Sequence, residues 1–174
     1  LDTAIGSVQA TGAAIMLLGA DNVLTMKVGR GVAAEAMAAD AQVVLGAGIT
    51  GRVARTGEPV RGVVGDGPGL RPVAEEPSAK TVIAVPLRQS GRIVGVLNLY
   101  DKEGDRRFTA HDLDTILAFA SQASVAIDNV LLHQEAQRLS LTDPLTSLWN
   151  YRYLTLGLGH EIERGHDFGR YQHQ

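Results

Sequence analysis

The sequence predicts an α+β protein, and three observations carry the prediction. Two pairs of short apolar runs, AAIMLL (13–18) with VLTMKV (23–28) and TVIAVPL (81–87) with RIVGVLNLY (92–100), are each joined by a few turn-forming residues. That is the pattern of antiparallel hairpins. From Phe108 onward the apolar spacing changes to threes and fours and holds for about thirty residues without Gly or Pro, the pattern of one long helix. The helix that follows GAGITG, residues 49–56, is only about two turns long, and the strands around it read as hairpins rather than as the βαβ crossovers of a parallel sheet.

Taken in order, the first hairpin turns at GADN (19–22), a cluster of residues that tolerate tight backbone angles. The Ala-rich stretch GVAAEAMAADA (31–41) favours helix, and QVVL (42–45) reads as a strand. Residues 49–56 form a short helix closed by Gly57, with Pro59 just beyond it. Residues 62–80, GVVGDGPGLRPVAEEPSAK, hold four Gly and three Pro and show no period. A loop of that length inside a compact domain is either a functional lid or a disordered segment. The second hairpin, joined by RQSG (88–91), is so continuously apolar that its strands are expected at the sheet centre, covered on both faces.

Thr109 is the expected N-cap of the long helix, with Asp112 three residues later completing a capping box. The stripe Leu113, Ile116, Ala120, Ala123, Ile127 and Val130 faces a sheet. A second stripe, Val125, Leu132 and Leu139, recurs every seven residues and is read as a seam against a partner helix, making the protein a homodimer. One broad core-facing stripe is the alternative.

Composition narrows the chemistry. The chain has 174 residues, 45% hydrophobic and 20% charged, enough for one globular domain and part of a second. A net charge of -3, with three lysines beside thirteen arginines, offers no basic field for nucleic acid. The absence of cysteine excludes disulfides, thiolate metal sites, thiol nucleophiles and covalent bilin attachment. No apolar run approaches the roughly 18 residues of a membrane span, so no membrane contact is expected from this segment and a cytoplasmic location is. Opening on Leu1 and closing on GRYQHQ, the sequence reads as a piece of a longer polypeptide. It shows no Ser/His/Asp set, no paired carboxylates and no metal motif, and its five histidines (His111, His133, His160, His166, His173) lie outside the strands and the lid.

GAGITG (46–51) matches the GxGxxG dinucleotide fingerprint, with Asp66 at the distance where a ribose-binding acid is sought. Its short helix and hairpin surroundings favour a plain tight turn instead. Arg61, Asp66 and Arg71, in or beside the lid, are the charged residues able to orient a polar ligand; solvated loop charges are the other reading.

The segments LGAGITGRVARTGEPV, SAKTVIAVPLRQSGRIVGVLNLY and FTAHDLDTILAFASQASVAIDN resemble, in order and spacing, a GAF domain, over about residues 5–135. The resemblance implies a central antiparallel sheet with flanking helices and a small-molecule pocket between one sheet face and a loop-and-helix layer, with residues 62–80 in its wall. Cyclic-nucleotide-binding members carry Asn-Lys followed by Phe-x-x-x-Asp-Glu. Here Lys102, Phe108 and Asp112 match while Asp101 and Leu113 do not, and a Lys102–Asp112 ion pair pinning the last hairpin to the long helix accounts for what is kept.

Past the long helix, DPLTSLWNYRYL (143–154) sets a good N-cap, Asp143, before Pro144. It looks like the opening DxLTGLxNRRxF/L of a GGDEF domain, the catalytic module of diguanylate cyclases. Asp143, Leu145, Thr146, Leu148, Asn150, Arg152 and Leu154 match, whereas Ser147 and Tyr151 depart from the pattern. The resemblance makes this segment a hinge, with Asp143 and Arg152 bridging it, and not a catalytic site. The family's metal-binding aspartate, its FKxxND stretch and its GG[DE]EF loop are not in the sequence.

The expected organisation is therefore a GAF body over 1–108 with a truncated N-terminal helix, the last GAF helix and signalling linker over 109–140, and the start of a GGDEF domain over 141–174. The expected role is ligand sensing and dimerisation in control of a cyclase that makes cyclic di-GMP from two GTP. Mg2+ and GTP belong to the complete GGDEF domain, and no cofactor is expected in this segment. The alternative is a non-catalytic ligand-binding GAF module with a degenerate or different output. A sensor histidine kinase fits less well, since His133 lies in HQEAQ and no His-Glu-Leu-Arg box is present.

Overall fold

A computed structural model of the chain describes residues 1–140. Residues 1–128 form one compact unit. Its elements are α1 (Asp2–Val8), β1 (Ala10–Leu18), β2 (Val23–Gly31), α2 (Val32–Ala36), β3 (Gln42–Val44), α3 (Gly48–Thr56), β4 (Val60–Val63), β5 (Thr81–Gln89) and β6 (Arg92–Lys102), followed by α4 (Ala110–Ser140). The second unit, Asn129–Gln174, is described only through residue 140, over which α4 continues. The hinge residues Asp143, Leu145, Thr146, Leu148, Asn150 and Arg152 lie outside the described residues.

Six strands form one antiparallel sheet in the order β3-β2-β1-β6-β5-β4. Both expected hairpins are present. The first turns through Asn22 at φ 61, and the second through Ser90 and Gly91 at φ 47 and 78, so that Gln89 pairs directly with Arg92. Two central positive φ angles define the tight hairpin turn whose twist matches that of the strands.

The central strands are covered on both faces, as their continuous apolarity implied. Val82 and Ala84 of β5 with Val96 and Tyr100 of β6 join one core, shared with Ile49 and Val53 of α3 and Ala33 and Met37 around α2. The intervening Ile83, Val85, Leu87, Leu97 and Leu99 join a second core with Val8 of α1, Phe108, and Ile116 and Ala120 of α4. Alternation along each strand thus sends successive side chains to opposite layers.

The structure departs from expectation at two elements. The Ala-rich stretch is helical only over Val32–Ala36, because Met37 turns to an extended conformation (φ -103, ψ 142) and buries its side chain in the first core. Burial of one large side chain outweighs the small helix preference of alanine. The loop expected from residue 62 begins instead with β4, whose four residues pair with residues 81–84 of β5. Arg61 therefore sits on an edge strand.

The capping box forms as expected. Thr109 N–H donates to Asp112 Oδ2 at 2.7 Å, and Asp112 N–H donates to Thr109 Oγ1 at 3.1 Å. The same Asp112 oxygen accepts from Lys102 Nζ at 2.6 Å, with the two side chains 10% and 8% exposed. The ion pair ties the end of β6 to the first turn of α4.

Candidate functional site

The site is built where α3 begins. Gly46 and Gly48 adopt φ 89 and 61, and Gly51 lies so close to β3 that a Cβ there would strike the Val44 carbonyl oxygen. These three positions are the glycines of GAGITG, and their task is to fold α3 tightly back onto the sheet. The N-terminus of α3 is an anion-binding position, and a side chain of the lid fills it. Glu76, buried in the loop after β4, accepts from Thr50 N–H at 2.7 Å through Oε1, and from Ile49 N–H at 3.1 Å and Val73 N–H at 2.9 Å through Oε2. Its carboxylate stands where a dinucleotide pyrophosphate would have to sit. A side chain at Gly48 would collide with that carboxylate, so Gly48 serves both the turn and the approach of Glu76.

Beneath the lid a small cavity is lined by Ile49 and Thr50 of α3, Val82 of β5, Asn98 and Tyr100 of β6, and Val64, Pro72, Glu76 and Pro77 of the loop. Its volume of ≈ 10 Å³ admits about one water. Its floor is unusually polar for a sheet face in the core. Thr50 Oγ1 donates to Asn98 Oδ1 at 3.4 Å, whereas Asn98 Nδ2 and the Tyr100 hydroxyl are buried without a hydrogen-bond partner. Asn98 is 0% and Tyr100 4% exposed. A buried donor with nothing to bind costs about 1–3 kcal/mol, so such groups gather where something else is to be held. Burial, with the nearby negative charge of Glu76 adding to it, raises the Tyr100 phenol well above its ordinary value, so it stays a hydroxyl.

The far end of the lid is tied down by Asp101, whose Oδ1 accepts from Lys80 N–H at 2.7 Å and Thr81 N–H at 2.9 Å. The structure does not bring Arg61, Asp66 and Arg71 together at the cavity. All three are exposed and none lines it. Arg61 Nη1 donates to the Phe108 carbonyl at 2.6 Å, bracing β4 against the segment that enters α4. Val125, Leu132 and Leu139 are 58%, 69% and 57% exposed on α4. Lys102 and Asp112 are spent on each other, and Phe108 lies in the core beneath α4, so these three residues of the cyclic-nucleotide pattern serve the scaffold.

Sequence reasoning missed Thr50, Glu76, Asn98 and Tyr100. One signal was available for Asn98: an amide in the middle of the otherwise apolar RIVGVLNLY. Among the described residues, no group of three or more His, Asp or Glu side chains is placed to hold a metal ion, and no helix is long and apolar enough to cross a membrane. A second, open groove of ≈ 280 Å³ runs between α4 and the Gly57–Pro59 turn, lined by Pro86, Arg88, Leu117 and Ser124 among others. Arg88 is anchored there by its backbone N–H to Ser124 Oγ at 3.1 Å and by its guanidinium to the Gly57 carbonyl at 3.2 Å.

A family model described as GAF domain matches residues 1–128. No curated protein matches the chain. Among solved structures, the GAF-B domain of DevS from Mycobacterium smegmatis is 28% identical, with a TM-score of 0.61 over 78% of this chain and 92% of that one. The GAF domain of a phosphoenolpyruvate-protein phosphotransferase from Coxiella burnetii superposes with a TM-score of 0.63 at 13% identity, over 75% of this chain and 79% of that one. A methyl-accepting chemotaxis protein segment reaches 0.65 at 20% identity, over 75% and 85%.

Proposed function

The chain belongs to the GAF family of sensory, small-molecule-binding modules, and from that premise we propose that it is the sensing and dimerising part of a signalling protein with a diguanylate cyclase output. The observation that carries the sensing half is the convergence of buried, unpartnered polar groups on one cavity under a lid. Support for the output comes from the sequence alone, in the GGDEF-like opening from Asp143 to Leu154. In this reading Asp143 and Arg152 set the angle of the hinge, and Val125, Leu132 and Leu139 form the seam of a homodimer. Mg2+ and GTP bind further along the polypeptide, and the module works in the cytoplasm. Ligand binding regulates the output by favouring one arrangement of the paired helices over another, which requires the ligand to bind the two arrangements with different affinity.

The coding sequence beyond Gln174 tests the output directly. A GG[DE]EF loop and an FKxxND stretch are expected within the length of one further domain, about 100–150 residues. Their absence would leave the other reading, a binding module with a degenerate or different output. The 174-residue chain incubated with GTP and Mg2+ should form no cyclic di-GMP; turnover would mean that the chemistry resides in residues assigned here to sensing.

A further inference from the structure

We infer that the cavity beneath the lid is built for the carboxylate of a small organic acid, and that Glu76 is the internal stand-in which such a ligand displaces. The inference rests on the reading of this cavity as the sensory pocket and adds the chemical class of what it senses.

Every polar group converging on Glu76 and the cavity floor can donate. Backbone N–H groups of Ile49, Thr50 and Val73 hold the two Glu76 oxygens at 2.7–3.1 Å. Asn98 Nδ2 and the Tyr100 hydroxyl, both on residues more than nine-tenths buried, make no hydrogen bond within the chain. A cavity lined by donors that its one resident anion leaves partly unused offers more hydrogen bonds than that resident takes.

Size and sequence position then select the mode of entry. With room for about one water, the cavity admits a larger molecule only if the roof moves. Glu76 lies in that roof, between Pro72 and Pro77, so raising the roof withdraws its carboxylate from α3. The N–H groups at the start of a nine-residue helix are then bare, and they favour a negative group in its place.

Charge selects the class. The lining residues include no Lys, Arg or His, so neutral donors, the backbone N–H groups with Asn98 Nδ2 and the Tyr100 hydroxyl, must balance the ligand. The N–H groups already balance one carboxylate. A phosphate dianion or a nucleotide would bring a second charge with nothing to meet it. Ile49, Val64 and Val82 complete the lining and suit a short apolar tail.

The test is rescue of a Glu76→Ala chain by acetate, set against acetamide, inorganic phosphate and sodium chloride at matched ionic strength. Melting temperature and amide resonances are the readouts. Saturating acetate should raise the melting temperature by about 3–5 °C and shift the amides of Ile49, Thr50 and Asn98. Acetamide and phosphate should do neither, and Tyr100→Phe in the same background should weaken the acetate effect. Equal rescue by acetamide would overturn the carboxylate assignment while leaving a ligand pocket in place. Equal rescue by phosphate would overturn the preference for a single charge, and rescue indifferent to Tyr100→Phe would reduce the site to a helix cap. If neither acetate nor acetamide nor phosphate moves these resonances, both the inference and the sensory reading of the cavity fail. Should Glu76→Ala not fold, the unaltered chain titrated with butyrate gives the same decision: the Ile49, Thr50 and Val73 amides shift as Glu76 is displaced, or the inference is wrong.

Discussion

Lys102 Nζ and Asp112 Oδ2 meet at 2.6 Å where the end of β6 reaches the first turn of α4, with both side chains almost wholly buried. Burial opposes ionisation of Asp112, but hydrogen bonds from Lys102 Nζ and the Thr109 N–H, together with the lysine charge, hold its carboxyl below the ordinary 3.8. The native state therefore favours the ionised form. The stability this adds is complete above the unfolded-state value and is lost as pH falls through the lower, folded value. Denaturant titrations of the unaltered chain should show it losing stability below about pH 4 more steeply than Asp112→Asn, which has no such proton to bind. Lys102→Met should cost about 3 kcal/mol at pH 7, the low end for stripping one member from a buried pair, because the carboxylate stays behind without its counter-charge. Asp112→Leu added to Lys102→Met should recover part of that loss. The pair was legible because both members lie at element ends whose spacing is local in sequence. Glu76 was not: it meets Ile49 and Thr50 from 27 and 26 residues away, across a loop whose path no periodicity records.

At the level of elements, the GxGxxG match shows how one string serves two physical ends. In a dinucleotide site the third glycine lets a helix pack closely on a strand, and Gly51 does the same here against Val44. The difference lies in what occupies the helix N-terminus, and Glu76 occupies it. Gly51→Ala should therefore destabilise the fold by about 1–3 kcal/mol, since backbone and not a flexible side chain receives the new methyl group; chemical denaturation measures it. The β5–β6 turn allows a change of the opposite sign. Ser90 holds φ 47 ahead of Gly91, in a position where asparagine is better tolerated, so Ser90→Asn should stabilise by about 0.5 kcal/mol. Strong hairpins of this kind were legible because alternation and turn chemistry coincide in them. β4 was hidden because four residues, one of them Gly62, are too few to display a period, and its pairing depends on β5 lying alongside. The early end of α2 escaped for a related reason, as Met37 answers to the sheet beneath it and not to its neighbours in the chain.

On the scale of the molecule, β6 joins the cavity to α4. Asn98 and Tyr100 face the cavity, while Leu97 and Leu99, on the alternate positions of the same strand, lie in the core that Ile116 and Ala120 of α4 complete. In the proposed reading, a ligand that takes hydrogen bonds from Asn98 and Tyr100 pulls on a strand whose other face packs against α4. Close packing transmits such a displacement because neither layer has slack to absorb it. The readout then depends on what α4 meets. Val125, Leu132 and Leu139 keep a seven-residue repeat with each residue more than half exposed, the spacing at which two helices pair along one seam. The chain should accordingly sediment as a dimer, and Val125→Asp with Leu132→Asp should convert it to a monomer of unchanged helix content. Both positions are exposed on the single chain, so the aspartates are solvated in the monomer and must be dehydrated only in a pair. That asymmetry separates loss of association from loss of folding. A dimer that survives both substitutions would place the interface away from this stripe, and the heptad would then be an ordinary solvated face of α4.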